Sequence, residues 1–239
     1  MCGIVGYIGE KNCTDILLDG LGSLEYRGYD SAGIAVFEDG VVKSIKSQGR
    51  LAALKKIIDT NGAPNGECGI GHTRWATHGK PSDINAHPHS GNNVTIVHNG
   101  IIENYVTLKD ELEQKGYVFV SETDTEVAAK LIDYYYNGDP VDAIKNAVAK
   151  IRGSYAFGIL FHDISDKIFA VRKDSPLIAG IGNGENFIAS DVPAILKYTR
   201  NYYLLEENEV AILSRDSLEI VDLDGNPIEK EIQTAAWDI

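Results

Sequence analysis

The chain opens with the sequence MCGIVGYI, residues 1–8, in which Cys2 stands between Met1 and a run of apolar residues. The small side chain of Cys2 favours removal of Met1, which would leave one residue carrying both a thiol and a free α-amine. The pKa of an α-amine is about 7.7–8.0 and that of a thiol about 8.5, so near neutral pH the amine can accept the thiol proton. The stretch therefore predicts an N-terminal nucleophile with its own base. Position alone also fits Cys2 as a small apolar residue that starts a strand.

Length and composition predict a folded domain. The 239 residues can bury a substantial core in one large domain or two small ones, and 44% apolar with 24% charged residues is an ordinary globular balance. The formal net charge of -13 would repel a phosphate backbone, and no basic cluster offsets it. Binding to nucleic acid is therefore disfavoured.

The chain has no sequence signal for a membrane. No segment is apolar over the ~20 residues that a membrane span requires, and residues 1–15 contain charged side chains where a signal peptide would be apolar. Cys2, Cys13 and Cys68 are three cysteines without paired spacing, as expected of free thiols in a reducing compartment. We therefore expect a cytoplasmic protein in which Cys13 and Cys68 are buried thiols.

Hydrophobic periodicity predicts several helices before residue 154 and mainly strands after it. The predicted helices cover residues 14–27, 51–59, 104–115, 124–136, 140–151 and 192–198. The predicted strands cover 4–8, 32–37, 41–45, 68–73, 94–98, 155–161, 167–171, 177–182, 186–189, 202–205, 210–212 and 218–221. Asp39-Gly40 predicts a hairpin turn, Thr14 a helix cap, and Thr123 with Glu126 a capping box. The pattern predicts an α+β domain with helices stacked on mainly antiparallel sheets.

Residues 74–93 fit neither helical nor strand periodicity. They include RWATHGKPS at 74–82 and NAHPH at 85–89, so arginine, tryptophan, threonine and histidine are concentrated in one connection. A long loop with this content between strands predicts a functional segment.

Five segments stand out when they are taken together: CGIVG at 2–6, YRGYDSAG at 26–33, GHTRWATHG at 71–79, HNG at 98–100 and TDTE at 123–126. They closely resemble the class II glutamine amidotransferases, and the resemblance covers the whole chain. It implies the N-terminal-nucleophile hydrolase fold, an αββα sandwich with two mainly antiparallel sheets between helical layers. LEYRGYD at 24–30, NAHPH at 85–89 and HNGIIEN at 98–104 resemble the branch of this family that continues into a sugar-phosphate isomerase half.

The resemblance implies that the chain is a single amidotransferase domain over residues 1–239 that acts on L-glutamine. Cys2 would attack the side-chain amide and form a thioester, and glutamate and ammonia would be released. The Asn99 side-chain amide and the Gly100 backbone N–H would stabilise the oxyanion. No cofactor and no metal are implied. The partners implied are L-glutamine and a covalently linked isomerase domain, with the full-length enzyme a homo-oligomer.

The resemblance also implies how the substrate is held. The planar guanidinium of Arg74 would bind the α-carboxylate of glutamine, with help from Thr77 and His78. Asp124 would bind the α-ammonium group, and Trp75 would lie in a mobile loop over the substrate.

These residues have structural interpretations as well. Asn99-Gly100 is also typical of an ordinary turn, Asp124 of an acid that favours the helix dipole in a first turn, and Trp75 of a core aromatic. Arg27 could equally be a surface cation, so it is left out of the catalytic set.

Other classes of function remain open at this point. A metal-binding protein is one, because six potential ligands are dense in one segment: Cys68, His72, His78, His87, His89 and His98. No two of them have the spacing of a structural zinc pair. A catalytically silent glutamine-binding module that keeps Met1 is a second. Another amidotransferase, such as amidophosphoribosyltransferase or asparagine synthetase, is a third, which the sequence around Tyr26 and Trp75 disfavours.

Overall fold

The computed structural model describes residues 2–27 and 30–236. The helices are α1 (Cys13–Leu24), α2 (Leu51–Asn61), α3 (Tyr105–Gln114), α4 (Asp124–Tyr135) and α5 (Pro140–Lys150). The strands are β1 (Gly3–Ile8), β2 (Ser31–Glu38), β3 (Val41–Gln48), β4 (Cys68–Arg74), β5 (His89–Ser90), β6 (Val94–Asn99), β7 (Tyr155–Phe161), β8 (Ile168–Lys173), β9 (Ile178–Ile181), β10 (Asn186–Ala189), β11 (Asn201–Leu204), β12 (Val210–Leu213), β13 (Leu218–Val221) and β14 (Gln233–Thr234).

The strands form two antiparallel sheets. The larger has the order β14-β11-β9-β10-β1-β4-β2-β3, and the smaller β13-β12-β8-β7-β6-β5. Helices α1 and α2 pack on the outer face of the larger sheet through residues such as Leu17. Helices α3, α4 and α5 pack on the smaller sheet through residues such as Ile132. Ile70 and Val97 belong to the apolar layer between the sheets. The predicted αββα sandwich is confirmed.

Strand alternation directs a set of polar side chains into the layer between the sheets. Because Ile70 on β4 lies in that layer, His72 and Arg74, two and four residues later, face the same way. Val97 on β6 lies there too, so Asn99 at the end of β6 also faces inward. The sandwich therefore brings the ends of β4 and β6 to one place.

The hairpin of β2 and β3 forms as predicted. Asp39 has φ 52° and Gly40 φ 77°, the left-handed pair that a tight two-residue hairpin turn requires. Gly33 on β2 has a different role. A Cβ there would lie 1.9 Å from the carbonyl oxygen of His87, so the absence of a side chain lets the 74–93 loop pack directly on the sheet.

Three local predictions were wrong. Helix α1 is capped by Asn12, whose side chain accepts a hydrogen bond from the N–H of Thr14 at 3.1 Å. The Thr14 hydroxyl instead donates to the carbonyl of Pro64 at 2.8 Å. The helix ends at Leu24, and a single 3₁₀ turn covers Glu25–Arg27. A long-range hydrogen bond thus removes Thr14 from the capping position.

The second correction concerns the capping box at the start of α4. Thr123 does cap the helix, accepting from the N–H of Glu126 at 3.2 Å. The Glu126 carboxylate does not return to Thr123, because it accepts from the N–H groups of Val120 and Ser121 and pairs with Lys130. Only half of the predicted box forms.

The third correction concerns residues 192–198, which were expected to be a helix. Only Val192–Ala194 form a 3₁₀ turn, which Asp191 opens by accepting from the N–H of Val192 at 2.8 Å. The following bonds also reach back three residues, from Ile195 to Val192 and from Tyr198 to Ile195, before β11 begins. The short strands β5 and β14 were not predicted. Over the described ranges, no helix combines the length and apolar character needed to cross a membrane.

Candidate active site

A cavity of about 330 Å³ opens where the two sheets end. All eight residues predicted for the site line it: Cys2, Arg74, Trp75, Thr77, His78, Asn99, Gly100 and Asp124. They come from the start of the chain, β4 and the loop after it, β6 and the residue that follows it, and α4. Residues far apart in the chain therefore share one pocket of the size that small-molecule sites have.

The Cys2 thiol is held against the loop that follows β4. Its Sγ accepts a hydrogen bond from the N–H of Trp75 at 3.1 Å and lies 3.4 Å from the Trp75 carbonyl, to which it donates. Burial raises the pKa of the Cys2 thiol, and the Trp75 N–H opposes that rise. The thiol needs a base before it can act as a nucleophile, since the site does not stabilise the thiolate on its own.

Asn99 connects the smaller sheet to Cys2. Its Nδ2 donates to the backbone carbonyl of Cys2 at 3.1 Å, and its Oδ1 lies 3.0 Å from Nε2 of His72. Gly100 follows with φ 118°, and a Cβ at this position would lie 2.3 Å from the Ser154 carbonyl. Only glycine fits this combination, so the Asn99-Gly100 step is a tightly packed strand end that faces the cavity.

Arg74 is buried and folds the loop that forms one wall. Its Nη2 donates to the carbonyls of His78 at 2.5 Å and Gly79 at 2.7 Å. Its Nη1 lies 3.7 Å from Oδ1 of Asp30. Part of the donor fork that was expected to meet a substrate carboxylate is thus already used by the protein, although Arg74 lines the cavity.

Asp30, the residue before β2, anchors the same loop. Its carboxylate accepts from the N–H of Ala76, and its own N–H donates to the Arg74 carbonyl at 2.9 Å. Trp75 lies between these anchors with 51% of its surface exposed. The core-aromatic interpretation of Trp75 is therefore wrong. Arg27 lies in the 3₁₀ turn after α1, while Gly28 and Met1 lie outside the described residues.

Asp124 is the first residue of α4 and is 3% exposed. One carboxylate oxygen accepts from the N–H of Ile102 at 2.8 Å, and the other lies 3.9 Å from Nδ1 of His78. Nδ1 of His78 is buried without a hydrogen-bond partner. A carboxylate at a helix N-terminus serves the dipole and also gives this wall of the cavity a negative charge.

Four histidines form a buried cluster at the cavity, and two of them, His87 and His98, also line it. The sequence suggested these histidines only as metal ligands. They are His72, His87, His89 and His98, at most 5% exposed. His72 and His87 stack with ring centroids 3.9 Å apart, and His87 meets His89 edge-on. Burial lowers the pKa of all four, that of His72 to about 3. Among residues 2–27 and 30–236, no group of three or more histidine, cysteine, aspartate or glutamate side chains is arranged to hold a metal ion.

Hydrogen bonds around the cluster are consistent with neutral rings. The N–H of His98 donates to Nδ1 of His87 at 3.3 Å, which leaves the His87 proton on Nε2, 3.4 Å from the Thr125 hydroxyl. That hydroxyl can donate to Nδ1 of His98 at 2.8 Å, and Nε2 of His98 donates to the Ser154 carbonyl at 3.3 Å. Thr125 and Ser154 also line the cavity and were not assigned to the site. Thr125 lies within the TDTE segment at 123–126, whereas nothing in a single sequence links Ser154 to β6.

The cluster makes stability depend on pH. Below a pKa of about 6.5 the unfolded chain gains a proton at each histidine, whereas the folded chain does not, so the free energy of unfolding falls as pH falls. We expect it to be highest above about pH 6.5 and to drop between about pH 6.5 and pH 5. The limiting slope is about 1.4 kcal/mol per pH unit for each buried histidine.

Denaturant unfolding at several pH values would measure this slope. His89→Gln should remove one proton from the uptake on unfolding, which lowers the slope by about 1.4 kcal/mol per pH unit. Asn99→Ala removes no titratable group and should leave the slope unchanged. A free energy of unfolding that stayed constant over the interval would contradict the neutral cluster.

Comparison with known proteins places this geometry in a family. The family described as "Glutamine amidotransferase domain" matches residues 72–197, more than half of the chain. The chain is 56% identical to glutamine–fructose-6-phosphate aminotransferase (isomerizing) of Caldanaerobacter subterraneus subsp. tengcongensis, covering 100% of this chain and 40% of that protein. The chain is 55% identical to the protein of the same name from Clostridium perfringens, covering 100% of this chain and 39% of that protein. The chain thus spans about 40% of the length of these relatives.

Solved structures agree with this assignment. Glutamine phosphoribosylpyrophosphate amidotransferase from B. subtilis superimposes with a TM-score of 0.80 at 29% identity, over 95% of this chain and 50% of that one. A glutamine aminotransferase class-II domain protein from Silicibacter pomeroyi superimposes with a TM-score of 0.65 at 13% identity, over 93% of this chain and 99% of that one. It shares the fold. The fold is therefore the N-terminal-nucleophile hydrolase sandwich, and the chain belongs to the glutamine amidotransferase domain family.

Proposed function

We propose that this chain is the glutaminase part of a longer glutamine–fructose-6-phosphate aminotransferase. It hydrolyses the side-chain amide of L-glutamine, and the ammonia serves the synthesis of glucosamine 6-phosphate from fructose 6-phosphate in the full-length enzyme. One observation carries the proposal. Nδ2 of Asn99 lies 3.1 Å from the backbone carbonyl oxygen of Cys2, a residue 97 positions away, in a cavity that Asp124 and Arg74 also line.

In the proposed reaction, Sγ of Cys2 forms a bond to the side-chain amide carbon of glutamine, and the carbonyl π electrons move to oxygen. The free α-amine of Cys2, present once Met1 is removed, takes the thiol proton and delivers it to the leaving nitrogen. The C–N bond then breaks and ammonia leaves. Water attacks the resulting thioester, glutamate is released and the thiol is restored.

The oxyanion of each tetrahedral intermediate is assigned to Asn99 and Gly100. The Nδ2 group of Asn99 has two hydrogens, of which one goes to the Cys2 carbonyl and the second serves the oxyanion. Fixed donors of this kind need no reorganisation when charge develops, which is why they accelerate the chemical step more than they strengthen substrate binding.

The α-groups of glutamine are assigned to other residues that line the cavity. Asp124 provides the negative charge for the ammonium group. For the carboxylate we propose Thr77, the unpartnered Nδ1 of His78 and the positive charge of Arg74. Trp75, exposed above the cavity, covers the bound substrate.

The remainder of the proposal concerns the longer protein. We propose that residues 1–239 form one amidotransferase domain, linked covalently to an isomerase domain that binds the sugar phosphate, in a cytoplasmic homo-oligomer. The curated relatives extend well beyond the part that this chain matches, and Cys13 and Cys68 are free buried thiols, as in a reducing compartment.

Incubation of the chain with L-glutamine tests the proposal. We expect glutamate and ammonia in equal amounts, because water takes the place of the sugar acceptor. Both products should be assayed against a blank purified in parallel from cells that lack the chain. Glutamine consumption equal to that of the blank, by protein shown by mass spectrometry to begin at Cys2, would refute the proposed function.

Substitution of Asp124 by asparagine tests the ammonium contact. The change preserves shape but removes the charge, so KM for glutamine should rise by about 10- to 100-fold, the worth of one charge-assisted hydrogen bond. The variant should discriminate less against a desamino analogue of glutamine. Asp142→Asn, in the first turn of α5 and outside the cavity, is the matched control. An unchanged ratio of kcat/KM for the two substrates in Asp124→Asn would exclude the contact.

A further inference from the structure

His72 is the buried side chain that touches the proposed oxyanion donor from behind. It lies on β4, is 0% exposed, and pairs across the sheet with Ile4 on β1 and with Gly33 on β2. Its Nε2 lies 3.0 Å from the backbone carbonyl of His98 and 3.0 Å from Oδ1 of Asn99. Both contacts are to β6, the strand that ends at the cavity.

The geometry determines where the protons are. A backbone carbonyl only accepts hydrogen bonds, so Nε2 of His72 must carry the proton. The side-chain atom of Asn99 at the same distance must then be its oxygen, since an NH₂ group would face another donor. The nitrogen of Asn99 is thereby turned to the carbonyl of Cys2, 3.1 Å away. One N–H of His72 thus distinguishes the two possible orientations of the Asn99 amide.

The second ring nitrogen argues against a purely space-filling role for His72. Its Nδ1 is buried and has no hydrogen-bond partner, which is unfavourable for a polar atom. The ring also stacks on His87 at a centroid distance of 3.9 Å and an angle of 7°, a contact that phenylalanine could equally make. What histidine adds over an apolar ring at this position is the Nε2–H group.

We propose that His72 is a positioning residue for the amidotransferase reaction, whose Nε2–H holds the Asn99 amide with its nitrogen towards Cys2 and the developing oxyanion. The proposal rests on the proposed function for its kinetic consequence. Without the Nε2–H, only the Cys2 carbonyl opposes the flipped orientation of the Asn99 amide, in which the oxygen lone pairs would face the oxyanion. The chemical step should suffer, whereas glutamine, which is held through its α-groups by other residues, should still bind.

Two variants of the full chain separate positioning from packing. His72→Met has a similar length but no donor, and kcat should fall by about 10- to 100-fold with KM changed by less than about 3-fold; loss of the donor itself in Asn99→Ala should cost on the order of 10²–10³ in kcat. His72→Gln can place an N–H near the position of Nε2 and should retain kcat within about 5-fold of wild type.

A double-mutant cycle supplies the decisive readout. If His72 acts through Asn99, adding His72→Met to Asn99→Ala should lower kcat by no more than about 2-fold further. A full additional 10- to 100-fold loss in the double variant, or a His72→Gln variant as impaired as His72→Met, would overturn the proposal. Thermal unfolding of each variant checks that the compared chains are folded.

Nitrogen NMR of the wild-type chain labelled in its histidines gives a test that does not use activity. The ring of His72 should be neutral, protonated on Nε2, and unchanged from about pH 8 to about pH 5. A neutral ring with its only proton on Nδ1 would overturn the proposal, because the Nε2–H that holds Asn99 would then be missing. Absence of glutamine hydrolysis by the wild-type chain would instead refute the proposed function, and the NMR result would still decide the orientation of the Asn99 amide.

Discussion

Replacement of Cys2 by alanine is expected to lower kcat for glutamine hydrolysis by on the order of 10⁴–10⁶, because the covalent route disappears and only direct attack by water remains. Glutamine should bind nearly as well as before, since its α-groups are assigned to other residues. Glutamate release and calorimetric titration with glutamine would measure the two effects separately.

The matched control for this prediction is Cys68→Ala. Cys68 is a thiol at 3% exposure on β4, outside the cavity, and its replacement should leave kcat within about 2-fold of wild type. Equal glutamate production by Cys2→Ala and wild type would show that another group performs the attack, and the assignment of the nucleophile would be wrong.

Protein that retains Met1 is expected to lose glutaminase activity by about 10²–10⁴-fold, the usual contribution of a positioned base. Met1 lies outside the described residues, so this prediction rests on chemistry. With Met1 attached, the nitrogen of Cys2 is an amide and is not basic near neutral pH. The free amine then lies one residue away, about 3.8 Å between Cα atoms.

Methionine aminopeptidase provides the experiment. Treatment of Met1-bearing protein should produce the mass loss of one methionine and a rise in activity with the same time course. Cys2→Ala treated in the same way should lose the mass but gain no activity. Full activity in protein shown to keep Met1 would contradict the N-terminal-amine mechanism, and His78, which also lines the cavity, would become the candidate base.

Much of the fold follows from local sequence. The hairpin of β2 and β3 forms because Asp39 and Gly40 can take positive φ values. Apolar spacing likewise identifies α2 and α5 to within two residues. The residues of the site, in contrast, came from the resemblance of whole motifs to a family. From periodicity alone, Asn99-Gly100 would be read as a turn and Trp75 as core.

Tertiary structure decided what local patterns leave open. Thr14 does not cap α1, because its hydroxyl donates a hydrogen bond to the carbonyl of Pro64, 50 residues away. Arg74 uses part of its donor fork on the carbonyls of its own loop, and Glu126 turns to Val120, Ser121 and Lys130. Each of these groups could form several hydrogen bonds of similar free energy. The bond that forms is the one whose partner lies nearby in the folded chain.

The chemical groups of this protein and most of its helices and strands follow from the amino-acid sequence, since both depend on residue identity and short-range spacing. How those groups act together depends on the packing of the folded chain. Cys2 and Asn99 meet because two sheets end at the same side of a sandwich, and His72 faces Asn99 because β4 and β6 point alternate side chains into the layer between them. Contacts over 97 and 27 residues are set by packing of the sheets, which no local periodicity encodes.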